Sequence, residues 1–196
     1  VLTQSVATLE PKEIVLRSGK AMKLRRLQPN DAQALFDFFQ EVPGYDRFYL
    51  RDDVTSRAVI DDWCAHIDPL RVLPLVAVVD GSIIAEGTLH RRRHPGRRHI
   101  GEIRIVVDPK YRGRGLGTHI MHQLLEHAYA QQMERVIIEL VSGKEEPAIR
   151  VAREVGFRRV AEFKGHIRDM DGNYHDLLVL EMDLKTWYQV DEASNF

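Results

Sequence analysis

Cysteine is nearly missing: Cys64 is the one thiol in 196 residues, which excludes an internal disulfide framework and any cysteine-rich zinc site. That scarcity fits a reducing, cytoplasmic setting. No apolar run approaches the roughly 20 residues a membrane helix requires, so no membrane partner is expected. The N-terminal stretch, which starts at Val1, also lacks the basic-then-apolar layout of a secretion signal. An excess of one charge is absent too. With 28 Lys and Arg against 29 Asp and Glu, the formal net charge is -1, so nothing draws the whole molecule to nucleic acid. Any polyanion must be met locally.

What is present is an ordinary globular composition, 44% hydrophobic and 29% charged, most simply one domain. A chain of this length buries about 70% of its unfolded surface and needs no structural metal. Residues 1–20 carry weak periodicity, with an apolar patch at Ile14-Val15-Leu16 before a turn signal at Ser18-Gly19. They are expected to form a flexible extension holding at most one edge strand. The domain proper is expected over 21–186 and a C-terminal tail over 187–196.

Within the domain, Ala21 to Leu27 alternates as a strand, and Pro29-Asn30-Asp31 opens a helix with Ala34, Leu35, Phe38 and Phe39 on one side. Pro43 to Tyr49 reads as a loop. Thr55 is expected to cap a second helix carrying Ala58, Val59, Trp63 and Ile67. Strands Leu73–Val79 and Ile83–His90 flank the turn signal Asp80-Gly81, and Pro95-Gly96 marks the turn before a strand at Ile100–Val107. An amphipathic helix from Leu116, a strand at Val136–Val141, a short helix Pro147–Val155 stopped by Gly156 and two last strands around Asp171-Gly172-Asn173 complete the order. Strand, glycine loop, helix, strand is a βαβ unit, so its two strands should be parallel.

The glycine loop, Arg112-Gly113-Arg114-Gly115-Leu116-Gly117, carries the chemistry. A loop feeding a helix leaves backbone N–H groups unpaired, and the helix dipole adds positive potential there, so an anion is favoured. A phosphate P-loop would need Gly-Lys-Ser/Thr, which is missing. The dinucleotide fingerprint would need a third glycine where Thr118 stands.

The full context is Val107-x-Pro109-x-x-Arg112-Gly113-x-Gly115-x-Gly117, with a second stretch at Ala148-x-x-Val151-Ala152-x-x-Val155-Gly156-Phe157. It resembles the GNAT superfamily of N-acetyltransferases. The opening Leu16-Arg17-Ser18-Gly19 and Leu24-Arg25-Arg26-Leu27-x-Pro29-x-Asp31 is similar to the acetyltransferase domains of bacterial protein-lysine acetyltransferases. The resemblance implies an α/β (α+β) fold: a single mixed, mostly antiparallel sheet of about seven strands flanked by about four helices. A splayed parallel pair of strands would receive the donor, acetyl-CoA. It also implies transfer of the acetyl group to a primary amine by direct attack, the acceptor being a small-molecule amine or a protein lysine or N-terminus. A homodimer is left open.

An amine of pKa near 10.4 is roughly 99.9% protonated at neutral pH, an obstacle upwards of roughly 4 kcal/mol. A general base removes that proton. The resemblance implies a glutamate before the glycine loop, and Glu102 stands there. The opposing reading pairs Glu102 with His99 or a basic residue across the hairpin, while Glu86 is expected in a cross-strand ion pair. Backbone groups of Ile105, Val106 and Val107 are implied to take the acetyl and pantetheine end, one N–H polarising the carbonyl. Arg112, Gly113, Arg114, Gly115, Leu116, Gly117 and Thr118 are implied around the pyrophosphate, and Tyr45, Arg47 and Tyr49 on the acceptor wall.

Two positions depart from the family pattern, Glu145 for asparagine and Ala152 for the tyrosine that protonates the leaving thiolate in many members. His166, Tyr174 and His175 are alternative acids. His119 and His122 stand at helical spacing with no completing carboxylate, so no metal is expected. Cys64 reads as a packing residue and the basic stretch 91–98 as a solvated loop. A catalytically weak acyl-CoA-binding or regulatory module, and a phosphate- or nucleotide-binding protein of another fold, are the competing functions.

Overall fold

The computed structural model describes residues 11–15, 19–92 and 94–194, and side chains as far as residue 189. The expected extension at 1–10, Leu16 and the turn residue Ser18 lie outside these. The hydrogen-bonded strand order is β1 (Lys12–Val15), β2 (Ala21–Arg26), β3 (Val72–Val79), β4 (Ser82–Arg91), β5 (Ile100–Val107), β6 (Arg135–Val141), β8 (Tyr174–Asp183), β7 (Arg158–Arg168), and helix α4 (Leu116–Ala130) joins β5 to β6 in sequence. The chain divides into two compact units, residues 11–88 with 105–120 and residues 89–104 with 121–194, so strands β4 and β5 and helix α4 run through both.

The first unit begins with β1 (Lys12–Val15) antiparallel to β2 (Ala21–Arg26). Alternation sets β2: Met22 and Leu24 are buried while Ala21 and Lys23 are exposed. β2 pairs with β3 (Val72–Val79) in the register Leu24↔Ala77. Asp80 at φ 49 and Gly81 at φ 83 then close the tight turn into β4 (Ser82–Arg91); two consecutive left-handed residues are what such a hairpin demands. Helix α1 (Ala32–Glu41) buries Leu35, Phe38 and Phe39 at helical spacing. Its start is fixed by Asp31, which accepts from Arg25 at 2.6 and 2.8 Å and from the Gln28 N–H at 2.8 Å.

Three local expectations change here. Gly44–Arg47 forms a helical turn, α2, within the predicted loop, because Pro43 O accepts from the N–H groups of Asp46 and Arg47. Helix α3 (Arg57–Ala65) has Ser56, not Thr55, at its N-cap, since the Thr55 hydroxyl is spent on Asp53 at 2.5 Å. Its buried positions are Ile60 and Cys64, whereas Ala58 is exposed. These residues join Leu27, Phe38, Phe39, Val76 and Ile83 in one apolar core, with Trp63 and Val106 packed on it. Each fully buried Leu or Phe contributes about 1.5–3 kcal/mol to that core.

In the second unit β5 (Ile100–Val107) pairs in parallel with β6 (Arg135–Val141) from Ile100↔Arg135 to Glu102↔Ile137. β6 continues to Val141 against β8 (Tyr174–Asp183). The parallel register thus stops while β6 runs on. β7 (Arg158–Arg168) pairs with β8 through two register shifts. Helix α4 (Leu116–Ala130) buries Leu124, Leu125 and Ala128 in this unit. Gly156, at φ 114, ends α5 (Glu146–Val155) as its left-handed cap. Leu184–Ser194 forms α6, so most of the stretch set apart as a tail is helical. No helix of the described residues is long and apolar enough to cross a membrane.

Candidate active site

The β5–α4 connection is built within the first unit. Val107 ends the strand, the Asp108 N–H is held by Ile84 O at 3.0 Å, and the Asp108 carboxylate caps Lys110 N–H at 2.8 Å, starting a single turn over Pro109–Tyr111. Gly113 and Gly115 then adopt φ 73 and 83, a region that L side chains enter at a cost of about 1–2 kcal/mol. Gly115 O accepts from His119 N–H at 3.1 Å, so α4 starts at Leu116. The N–H groups of Leu116, Gly117 and Thr118 head the helix, where geometry provides no intrahelical acceptor. A Cβ built on Gly113 or Gly117 would meet nothing within 4 Å. Space is therefore open beside Gly113 and Gly117, and the dipole favours an anion at the helix start. Gly117 has ordinary helical geometry, so its value is close approach rather than φ.

The loop's cations are engaged. Arg112 donates from Nε to Val107 O at 3.1 Å and from Nη2 to Asp46 at 2.7 Å. Lys110 pairs with Glu41 at 2.9 Å, and Arg114 lies 5.3 Å from the Tyr111 ring centre. Ile105, Val106 and Val107 are half-buried, Val106 against the unit's core. Of the three residues expected on the acceptor wall, Tyr45 is 56% exposed. Arg47 donates to Phe39 O at 3.2 Å, and its Nε is buried without a hydrogen-bond partner. The Tyr49 ring meets Phe48 edge-on at 5.7 Å.

Glu102 belongs to the second unit. It is 4% exposed, and its oxygens accept from Arg92 at 3.1 Å and Arg104 at 3.0 Å. Alternation puts Arg104 on the same side of β5. Its described partners are thus two guanidinium groups, one across the hairpin and one from its own strand. Glu86, in the first unit, is also buried, at 7%.

Ala152 is fully buried on α5, and Glu145 accepts from Val141 N–H at 2.7 Å, closing the β6–α5 turn. Neither offers a proton at the tyrosine's place. Of the substitute acids, His166 and Tyr174 are exposed. His175 instead bonds Asp169 at 2.8 Å. The Asp169 carboxylate also takes Lys144 at 3.2 Å and the N–H groups of Asp171 and Asn173. The His175 hydrogen bond, with Asn173 and Lys144, holds the Asp169 carboxyl well below the usual range. Sequence reading missed this hub, although Asp169-x-x-Gly172-Asn173 is a turn signal that wants its aspartate on backbone N–H groups.

Cys64 is 1% exposed, and burial pushes its thiol up, as a packing residue should behave. His119 is exposed, while His122 lies beside Trp187 with ring centres 6.0 Å apart. Among the described residues, no group of three or more His, Cys, Asp or Glu could hold a metal ion.

An open mixed sheet with the parallel β5–β6 pair and a glycine loop running into a helix agrees with an acetyltransferase α+β fold. The profile of the acetyltransferase (GNAT) family matches residues 32–157, and the chain belongs to that family. Its fold is similar to an acetyltransferase from Salmonella typhimurium solved with its cofactor acetyl-CoA, with a TM-score of 0.73, 20% identity, and coverage of 83% of this chain and 94% of that one. It is equally similar to the GNAT domain of S. lividans PAT, with a TM-score of 0.73, 21% identity, and coverage of 88% and 96%. In sequence it is 29% identical over 83 residues to the L-amino acid N-acetyltransferase AaaT of Escherichia coli, covering 42% of this chain and 51% of that protein. An N-acetyltransferase of Methanocaldococcus jannaschii is 39% identical over 74 residues, covering 37% of this chain and 32% of that protein. The chain thus spans between about a third and about a half of these two curated relatives.

Proposed function

We propose that this protein transfers the acetyl group of acetyl-CoA to a primary amine, by direct attack of the amine on the thioester. The observation that carries this reading is the β5–α4 connection, where the left-handed Gly113 and Gly115 lead into the N-terminus of α4 and space is open beside Gly113 and Gly117. Such a helix start suits the diphosphate of coenzyme A, and family membership supplies the donor class. Acetyl-CoA in the Salmonella relative supports the same donor. Ile105–Val107 would hold the pantetheine and acetyl end through backbone groups, one N–H stabilising the developing oxyanion. Tyr45, Arg47 and Tyr49 would line the acceptor side. The acceptor is an amine on a small molecule or on a protein.

Glu102 would take the amine proton through a water molecule as the N–C bond forms. In that role its carboxylate would accept the proton while Arg92 and Arg104 hold the side chain in place. They also occupy its oxygens, and this double clamp supports a second reading, in which Glu102 only fixes β5. With Ala152 at the tyrosine's place, the thiolate would leave unprotonated or take its proton from water.

Release of coenzyme A thiol from acetyl-CoA across a panel of amino acids, polyamines, aminoglycosides and lysine peptides tests the activity. Turnover with at least one class, lost at least tenfold in Glu102→Gln, is expected. Turnover unchanged by Glu102→Gln leaves the enzyme standing and makes Glu102 structural. Coenzyme A binding without turnover would instead favour an acyl-CoA-binding module.

A further inference from the structure

Each lysine or arginine of the glycine-loop approach has a partner within the first unit, and two of the three partners are carboxylates. Glu41 at the end of α1 takes Lys110, and Asp46 in α2 takes Arg112. The second pair differs in geometry. Arg112 is fixed at two points, its Nε on the last carbonyl of β5 and its Nη2 on Asp46 at 2.7 Å. The side chains are nonetheless 46% and 40% exposed, so water and ions reach the pair. Asp46 also sits between Tyr45 and Arg47. One guanidinium therefore joins the loop that opens α4 to the segment proposed to face the acceptor.

We infer that Asp46 is a built-in competitor for the donor's diphosphate. Without donor it neutralises Arg112. When the diphosphate of coenzyme A settles on the N–H groups ahead of α4, Arg112 leaves Asp46 for the phosphate oxygens and releases α2. The inference rests on the functional reading above, because that reading supplies the anion. Three physical points support it. A guanidinium bound bidentately to phosphate is stronger than one bound through a single nitrogen to a half-exposed carboxylate. The Val107 carbonyl anchors the arginine through Nε, so the exchange needs only a change at its outer nitrogens. Finally, Asp46 places a negative charge near the anion cradle, and its removal must raise the local potential whatever the acceptor is.

The sign of one mutation separates this role from a plain tie. Loss of a structural tie loosens the loop and weakens donor binding, whereas loss of a competitor strengthens it. Coenzyme A affinity is measured by titration calorimetry on the full chain, at low and high salt, for wild type, Asp46→Asn, Arg112→Gln and the double variant. Asp46→Asn is expected to tighten binding by about two- to fivefold at low salt, the range of an exposed ion pair, and by less at high salt. Arg112→Gln is expected to weaken it, and the tightening should shrink in the double variant, where only the direct effect of the Asp46 charge is left. Unchanged or weaker binding in Asp46→Asn overturns the inference, as does the same tightening in both backgrounds. If wild type binds coenzyme A and only this cycle fails, the functional reading stands. If none of the four proteins binds it, both fall.

Discussion

Strand β5 and the loop that follows it use the same ion-pair chemistry to opposite ends. At Glu102, beside the parallel register, a carboxylate 5% exposed is held by two guanidiniums about one-third exposed. Past Val107, Arg112 meets Asp46 with both side chains nearly half exposed. Burial decides the difference. A buried carboxylate stripped of its cations is left without solvent to replace them, so the first cluster is permanent. An exposed pair is replaced by water at little cost, so the second can exchange. The strand therefore carries a fixed electrostatic staple, and the loop between it and α4 an adjustable one.

The sharpest way to break this contrast is Glu102→Ala, which leaves Arg92 and Arg104 facing a void. Denaturant unfolding should show a loss of about 2–4 kcal/mol, reduced from a fully buried pair because the arginines reach solvent. A loss below 1 kcal/mol would make the two staples equivalent. The glycines test the loop itself. Gly115→Ala, forced to hold φ 83, should cost about 1–2 kcal/mol in the same measurement. Gly117→Ala, in ordinary helical geometry with open space around it, should instead raise stability by up to about 1 kcal/mol. Equal effects would mean that neither φ nor helix propensity governs the loop.

A third effect fades in acid. Because hydrogen bonding depresses the Asp169 carboxyl in the folded state, its stabilisation is complete above the ordinary aspartate pKa of about 3.9 and fades as pH falls below it. Denaturant-unfolding midpoints measured at each pH should therefore converge for wild type and Asp169→Asn toward low pH and diverge near neutrality. Parallel curves would remove Asp169 from the acid transition. Smallest of all is Glu41→Gln. Its pair with Lys110 is 63% and 70% exposed, and melting temperature should not move measurably.

Much of this was legible along the chain. The strand at Ile100–Val107 has the bounds that its β-branched run implies, and α4 starts at Leu116 after the glycine loop as the motif implies. Gly156 ends α5, and the parallel β5–β6 pair follows from the βαβ order. Local rules carried these because each element's signal lies within itself. The misplacement at α3 shows the limit. Thr55 and Ser56 are both good caps, and the Asp53 carboxylate decided between them. Similarly, Pro43-Gly44 read as a loop became a helical turn once Pro43 O found two N–H donors.

Composition and motif order by themselves settled the class of fold, the place of the glycine loop and helix start, and the family, since glycine conformation, hydrophobic period and chain order are local properties. Only the tertiary structure decided which charges meet. Glu102 finds Arg92 ten residues away, Asp46 finds Arg112 across sixty-six, and Lys144 and His175 converge on Asp169. Coulomb energy depends on distance in space and on burial, and neither is written in the spacing of residues along the chain.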